Sequence, residues 1–158
     1  MSHGKGITIS EECHIVNALA PVDIGAGAKT SDYFSMANYA HASIIVTMGV
    51  VGNDTTITLF EATTAAPGAE TVIGFDLYQE VTAAGDTLGA RTATAVGGFA
   101  TGTNNGTIHV IEIDASELTD GYPYLAVKTT NAAAALISVV AILSGTRYQS
   151  AVTPTAIT

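Results

Sequence analysis

Basic side chains are scarce in this sequence of 158 residues: 5 Lys and Arg stand against 14 Asp and Glu, a formal net charge of -9. Nucleic-acid binding neutralises phosphates with Lys and Arg. A chain this acidic is repelled by DNA, RNA and anionic membranes unless its cations cluster. Lys5, Lys29, Arg91, Lys128 and Arg147 are instead scattered along the sequence. One cysteine, Cys13, excludes an intramolecular disulfide. Tryptophan is absent and aromatics make up only 6%, so an aromatic ligand platform has little material. The longest apolar run, AAAALISVVAIL over 132–143, is interrupted by Ser138 and falls short of the roughly 20 residues a membrane helix needs. The beginning, MSHGKGITISEECHIVNALA, holds no apolar stretch of signal-peptide length. These readings place the protein in a cytoplasm, without membrane or nucleic-acid partners.

What is present is small and β-branched. Hydrophobic residues reach 47%, supplied mainly by Ala, Val and Ile rather than by aromatics, and 16 glycines punctuate a Thr-rich chain. Such a composition favours strands and tight turns. In SDYFSMANYAHASIIVTMGV, residues 31–50, Ala42, Ile44, Val46, Met48 and Val50 alternate onto one apolar face. His41, Ser43, Ile45, Thr47 and Gly49 fall on the other, suited to solvent or to a close neighbouring surface, while Tyr33, Phe34 and Tyr39 are placed to plug one end of the core. VGNDTT followed by TITLFEAT reads as the turn and second arm of a hairpin. VIGFDLYQEV reads as a strand with Ile73, Phe75 and Leu77 inward and Asp76, Tyr78 and Glu80 outward. RTATAV, TIHVIEID, PYLAVKTT and LISVVAILSG are further strands, and GGFATGTNNG a loop. DASELTDG reads as one helical turn capped by Asp114 or Ser116 and ended by Gly121. With eight to ten short strands, no sustained helical period and no repeat, the pattern predicts an all-β, antiparallel, jelly-roll-like β-sandwich with an irregular N-terminal arm. The expected organisation is an arm over 1–30, with short strands at Thr8–Ile9 and His14–Asn17, a sandwich domain over 31–150 and an extended tail over 151–158.

Chemistry is harder to find. His3, His14, His41 and His109 lie far apart, and Cys13-His14 is a poor ligand pair because adjacent strand residues point to opposite faces. Asp114, Ser116, Glu117 and Asp120 lack the order of a calcium loop. There is no nucleophile elbow; Ser35, Ser138 and Ser144 have no base nearby in sequence. Asp76 with Glu80, and Glu112 with Asp114, share strand faces, for which solvated alternation is the ordinary reason. The glycine-rich loop has no lysine and no following helix to cradle a phosphate. NDT at 53 and NGT at 105 are sequons of chance frequency. No catalytic residue, cofactor site or metal site is assigned, and the chain is not expected to be an enzyme.

The combination of SDYFSMANYAHASIIVTMG, VIEIDASELTDGYPYLAVKT and ISVVAILSGTRY resembles the head decoration, or cement, proteins of tailed bacteriophages over roughly residues 30–150. The resemblance implies a β-sandwich that binds the outside of the capsid, with the major capsid protein as partner, as a homo-oligomer in which a trimer is favoured. An acidic protein fits that outer surface better than the DNA-filled interior. The alternative is a head or tail fibre module that binds host carbohydrate.

Overall fold

The computed structural model describes residues 6–82, 85–130, 134–146 and 156–157. Two antiparallel sheets face each other. Strand β1 (His14–Asp23) opens the first; β2 (Phe34–Ser35), β3 (Tyr39–Val51), β4 (Thr56–Ala62), β5 (Glu70–Ile73), β6 (Phe75–Glu80), β7 (Thr92–Thr94), β8 (Phe99–Ala100), β9 (Ile108–Asp114), β10 (Tyr124–Thr129) and β11 (Ala135–Thr146) follow. The six-stranded sheet runs β1-β11-β3-β9-β6-β7; the other runs β2-β10-β4-β5, with β8 also on β4. The chain passes repeatedly from one sheet to the other, giving the interleaved order of a jelly roll. Among the described residues helix is limited to α1 (Ile9–Glu12) and a 3-10 turn at Ala115–Glu117.

Alternation explains most of the core. On β3 the side chains of Ala42, Ile44, Val46 and Met48 are buried while those of Ser43, Ile45 and Thr47 are half-buried on the outer side. β11 does the same: Ala135, Ile137, Val139, Ala141 and Leu143 go inward. Each Val, Ile, Leu or Met so buried contributes about 1.5–3 kcal/mol. Phe34, Met36 and Tyr39 close the core next to the start of β3, and Tyr33 is half-buried.

Several expectations are corrected. The first 30 residues are not irregular throughout: β1 is a ten-residue strand paired along β11. Pro21 is tolerated because β1 is an edge strand and its register shifts between Leu19 and Val22. Thr8–Ile9 is no strand; Thr8 precedes the helical turn that starts at Ile9. Val50 is 59% exposed and Val51 takes its inward place, because the β3–β11 register shifts between Ala135 and Ile137. β3 and β4 do not form a hairpin. β3 pairs with β11 and β9, and β4 pairs with β10, β5 and β8 in the opposite sheet, so the VGNDTT segment spans the sandwich. VIGFDLYQEV is two strands in two sheets. The chain changes sheet at Gly74, where an added Cβ would lie 2.8 Å from the Thr94 carbonyl oxygen. Glu80, expected outward in solvent, is 9% exposed and folded back onto Thr82 and Thr87. Phe99, placed in a loop by the sequence, packs edge-on against Phe75 at 6.1 Å between ring centroids. The extended tail falls outside the described residues apart from Ala156 and Ile157; Ala156 accepts a hydrogen bond from the Ser35 N–H.

Candidate functional site

The outer face of the six-stranded sheet is built in cross-strand rows. Asn17, Val140, Ile45, Val110 and Tyr78 stand side by side in one; Ile15, Ile142, Ser43, Glu112 and Asp76 form the next. Val140, Ile45, Val110 and Ile142 are half-buried although nothing among the described elements covers them, and Ile15 is 52% exposed. An aliphatic strip therefore crosses four strands.

One end of the strip is polar. Register places His41 opposite Asp114, and Ser43 opposite Glu112. The imidazole Nδ1 lies 2.7 Å from Asp114 Oδ1 and Nε2 lies 2.7 Å from Glu112 Oε2. Both nitrogens donate only in the imidazolium form. Partial burial alone would lower the His41 pKa, but the hydrogen bonds and charges of Asp114 and Glu112 outweigh it and raise the pKa above its ordinary value. Ser43, His41 and Asp114 stand in the order of a catalytic triad. Glu112 breaks that arrangement: the Ser43 hydroxyl donates to it at 2.6 Å and remains 3.5 Å from His41 Nε2. With both ring nitrogens facing carboxylates and the hydroxyl turned to Glu112, the imidazole is not placed to act as its base.

The other end of the strip is a groove of about 230 Å³, lined by Pro21, Leu136 and the floor formed by Thr47, Gly49 and Ser138. The Thr47 and Ser138 hydroxyls bond to each other, which uses one of their two protons. A Cβ on Gly49 would sit 3.1 Å from that of Leu136, so glycine keeps the groove open.

The outer face of the second sheet is occupied by its own charges. Tyr33 and Lys128 both donate to Glu70, and the Lys128 ammonium lies 4.2 Å above the Phe60 ring. Burial, together with the Glu70 carboxylate, raises the Tyr33 pKa. At one end of the sandwich a recess of about 350 Å³ is bounded by Met36, Leu118, Tyr122 and the segment between them. Its wall is held firmly: Glu61, 1% exposed, accepts the Thr119 N–H at 2.8 Å, and Glu117 accepts the Asp114 N–H at 2.8 Å.

The remaining candidates separate. His14 stacks on Tyr39 at 5.8 Å, and neighbouring Cys13 is a half-buried free thiol. His109 is fully buried; His3 lies outside the described residues. Asp76 pairs with Arg91 at 2.7 Å and not with Glu80. Ser35 accepts the Ala37 N–H. Ser144 stands opposite His41 in the β3–β11 register. Among the described residues no group of three His, Cys, Asp or Glu side chains is placed to hold a metal. The sequence places His41 and Ser43 on one outer face and Glu112 and Asp114 on another, as ordinary solvated alternation, and does not bring the two pairs together. The groove at Gly49 left no signal in the sequence.

No family model matches the chain, and no curated protein matches it. The crystal structure of SPBc2 prophage-derived protein YomS is similar over 84% of this chain and 94% of that one, with 10% sequence identity and a TM-score of 0.49.

Proposed function

We propose that this protein is a structural virion component that docks on the outside of an assembled tailed-phage capsid and stabilises it, with no catalytic role. The observation that carries the reading is the aliphatic strip, uncovered among the described residues, on the six-stranded sheet of an otherwise acidic chain. A contiguous apolar face bounded by polar groups marks a protein interaction surface, and on the opposite sheet Lys128 is engaged with Glu70. The resemblance of the sequence to capsid decoration proteins supplies the partner. A trimeric arrangement on a symmetric lattice multiplies weak contacts into avidity.

The test mixes purified protein with empty expanded shells and, separately, with unassembled capsid subunits, followed by sedimentation. Binding to shells and not to subunits is the expected outcome. Equal binding to both, or none to shells, refutes the reading. The second reading, a fibre module for host carbohydrate, draws on the preformed recess between Met36 and Tyr122, where an aromatic ring and the Asp120 carboxylate could face a sugar. Copy number in the virion separates the two: hundreds for a decoration protein, few for a fibre tip.

A further inference from the structure

The docking face is not uniform along its length, and its asymmetry specifies the partner. His41 and Gly49 lie on the same strand; eight residues at about 3.3 Å each separate them by roughly 26 Å. At the His41 end, Glu112 is 27% and Asp114 60% exposed at the side chain, so both carboxylates keep lone pairs open to an incoming donor. One imidazole cannot balance two carboxylates. Among the described residues the other cation on this face, Arg91, is engaged with Asp76, and Lys128 is held on the opposite sheet by Glu70. At the Gly49 end the groove is mostly apolar above a pair of hydroxyls bonded to each other, with Leu136 43% exposed at its rim.

We infer that this face receives a capsid-protein surface that puts an aliphatic or aromatic side chain into the Gly49 groove and a lysine or arginine against Glu112 and Asp114. The inference rests on the docking reading and adds the partner's chemistry and orientation. A second copy of the chain is disfavoured as the occupant of this face because two of its described cations, Arg91 and Lys128, are already paired with Asp76 and Glu70. The apolar anchor supplies affinity, and the ion pair fixes direction. Turning the protein by half a revolution on the shell would set carboxylates over an apolar patch and leave both ends unmatched.

The experiment measures affinity for empty expanded shells by co-sedimentation over a salt series, with wild type, the double variant Glu112→Gln/Asp114→Asn, and Leu136→Asp. Wild-type affinity should fall as salt rises. The double variant should bind about tenfold more weakly at low salt, with a flattened salt dependence. Leu136→Asp should weaken binding at every salt concentration. Circular dichroism and melting temperature check that each variant is folded. A double variant that keeps wild-type affinity and salt dependence overturns the inference and leaves the docking reading standing. Salt-independent binding by the wild type overturns the ion pair without any variant. No shell binding by the wild type overturns both.

Discussion

The Gln79 side-chain nitrogen lies 3.0 Å from Nδ1 of His109, deep between the sheets, where His109 is fully buried. Nδ1 accepts from Gln79, so the ring proton sits on Nε2, 3.2 Å from the Thr107 hydroxyl. The Phe99 ring, 5.0 Å away between centroids, completes an apolar enclosure. Burial holds the His109 pKa down at about 4. The folded state thus keeps this imidazole neutral, whereas the unfolded chain protonates it near its ordinary 6.5.

Stability should therefore be complete above pH 6.5 for this group and fall as pH drops from 6.5 toward 4, because the unfolded state binds the extra proton. The lost contribution is about 3 kcal/mol at the lower end. His41 acts in the opposite sense. Its raised pKa contributes stability fully below 6.5 and loses it as pH climbs through the folded value. Urea unfolding from pH 4.5 to 8.5 should show a maximum near pH 6.5. His109→Gln should flatten the acid limb and leave the alkaline limb alone.

Val46→Asp should abolish soluble folding, since it sets an unpaired charge in a fully buried position on β3. Thr47→Asp, on the outer face, should leave a folded protein. Soluble expression and circular dichroism distinguish them. Similar behaviour of the two would mean that the β3 register is wrong.

Two glycines with the same backbone twist should respond differently to alanine. Gly98 and Gly102 both have φ of +73°, but a Cβ at Gly98 would fall 2.0 Å from the Ile57 carbonyl oxygen, while at Gly102 it meets nothing within 4 Å. Gly102→Ala should cost about 1–2 kcal/mol from backbone strain alone. Gly98→Ala should cost more, because β8 must move off β4. Equal melting temperatures for the two variants would contradict this packing.

Glu61→Ala should free the Thr119 N–H and destabilise the protein by about 1–3 kcal/mol. The opening should be local, so hydrogen exchange of residues 115–123 should accelerate ahead of the β3 and β11 amides. Unchanged exchange at Thr119 would show that Glu61 does not hold that wall.

The strands were legible in the sequence because alternation is local: Ala42, Ile44, Val46 and Met48 announce which face of β3 is buried. What that signal cannot carry is pairing. VGNDTT looks like a hairpin turn, yet the strands on either side of it join different sheets, since which edge β4 meets depends on β10, well over fifty residues on. The shift that exposes Val50 and buries Val51 belongs to the β3–β11 register and not to either segment alone. Pro21 suggested irregularity because proline disfavours strands in general, and only the edge position of β1 explains its presence. The His41 cluster was half visible, in the spacing of Glu112 and Asp114. His41 itself comes from 71 and 73 residues away, and only the sheet brings it there.

The measurement closest to the central claim is a cryo-EM reconstruction of expanded shells carrying the bound protein. The outer face of the six-stranded sheet should lie against the shell, with Ile45, Val140 and Ile142 in contact and the Gly49 groove filled by a capsid side chain. Density in which the Lys128–Glu70 face or the recess beside Tyr122 contacts the shell, with the aliphatic strip open to solvent, would contradict it.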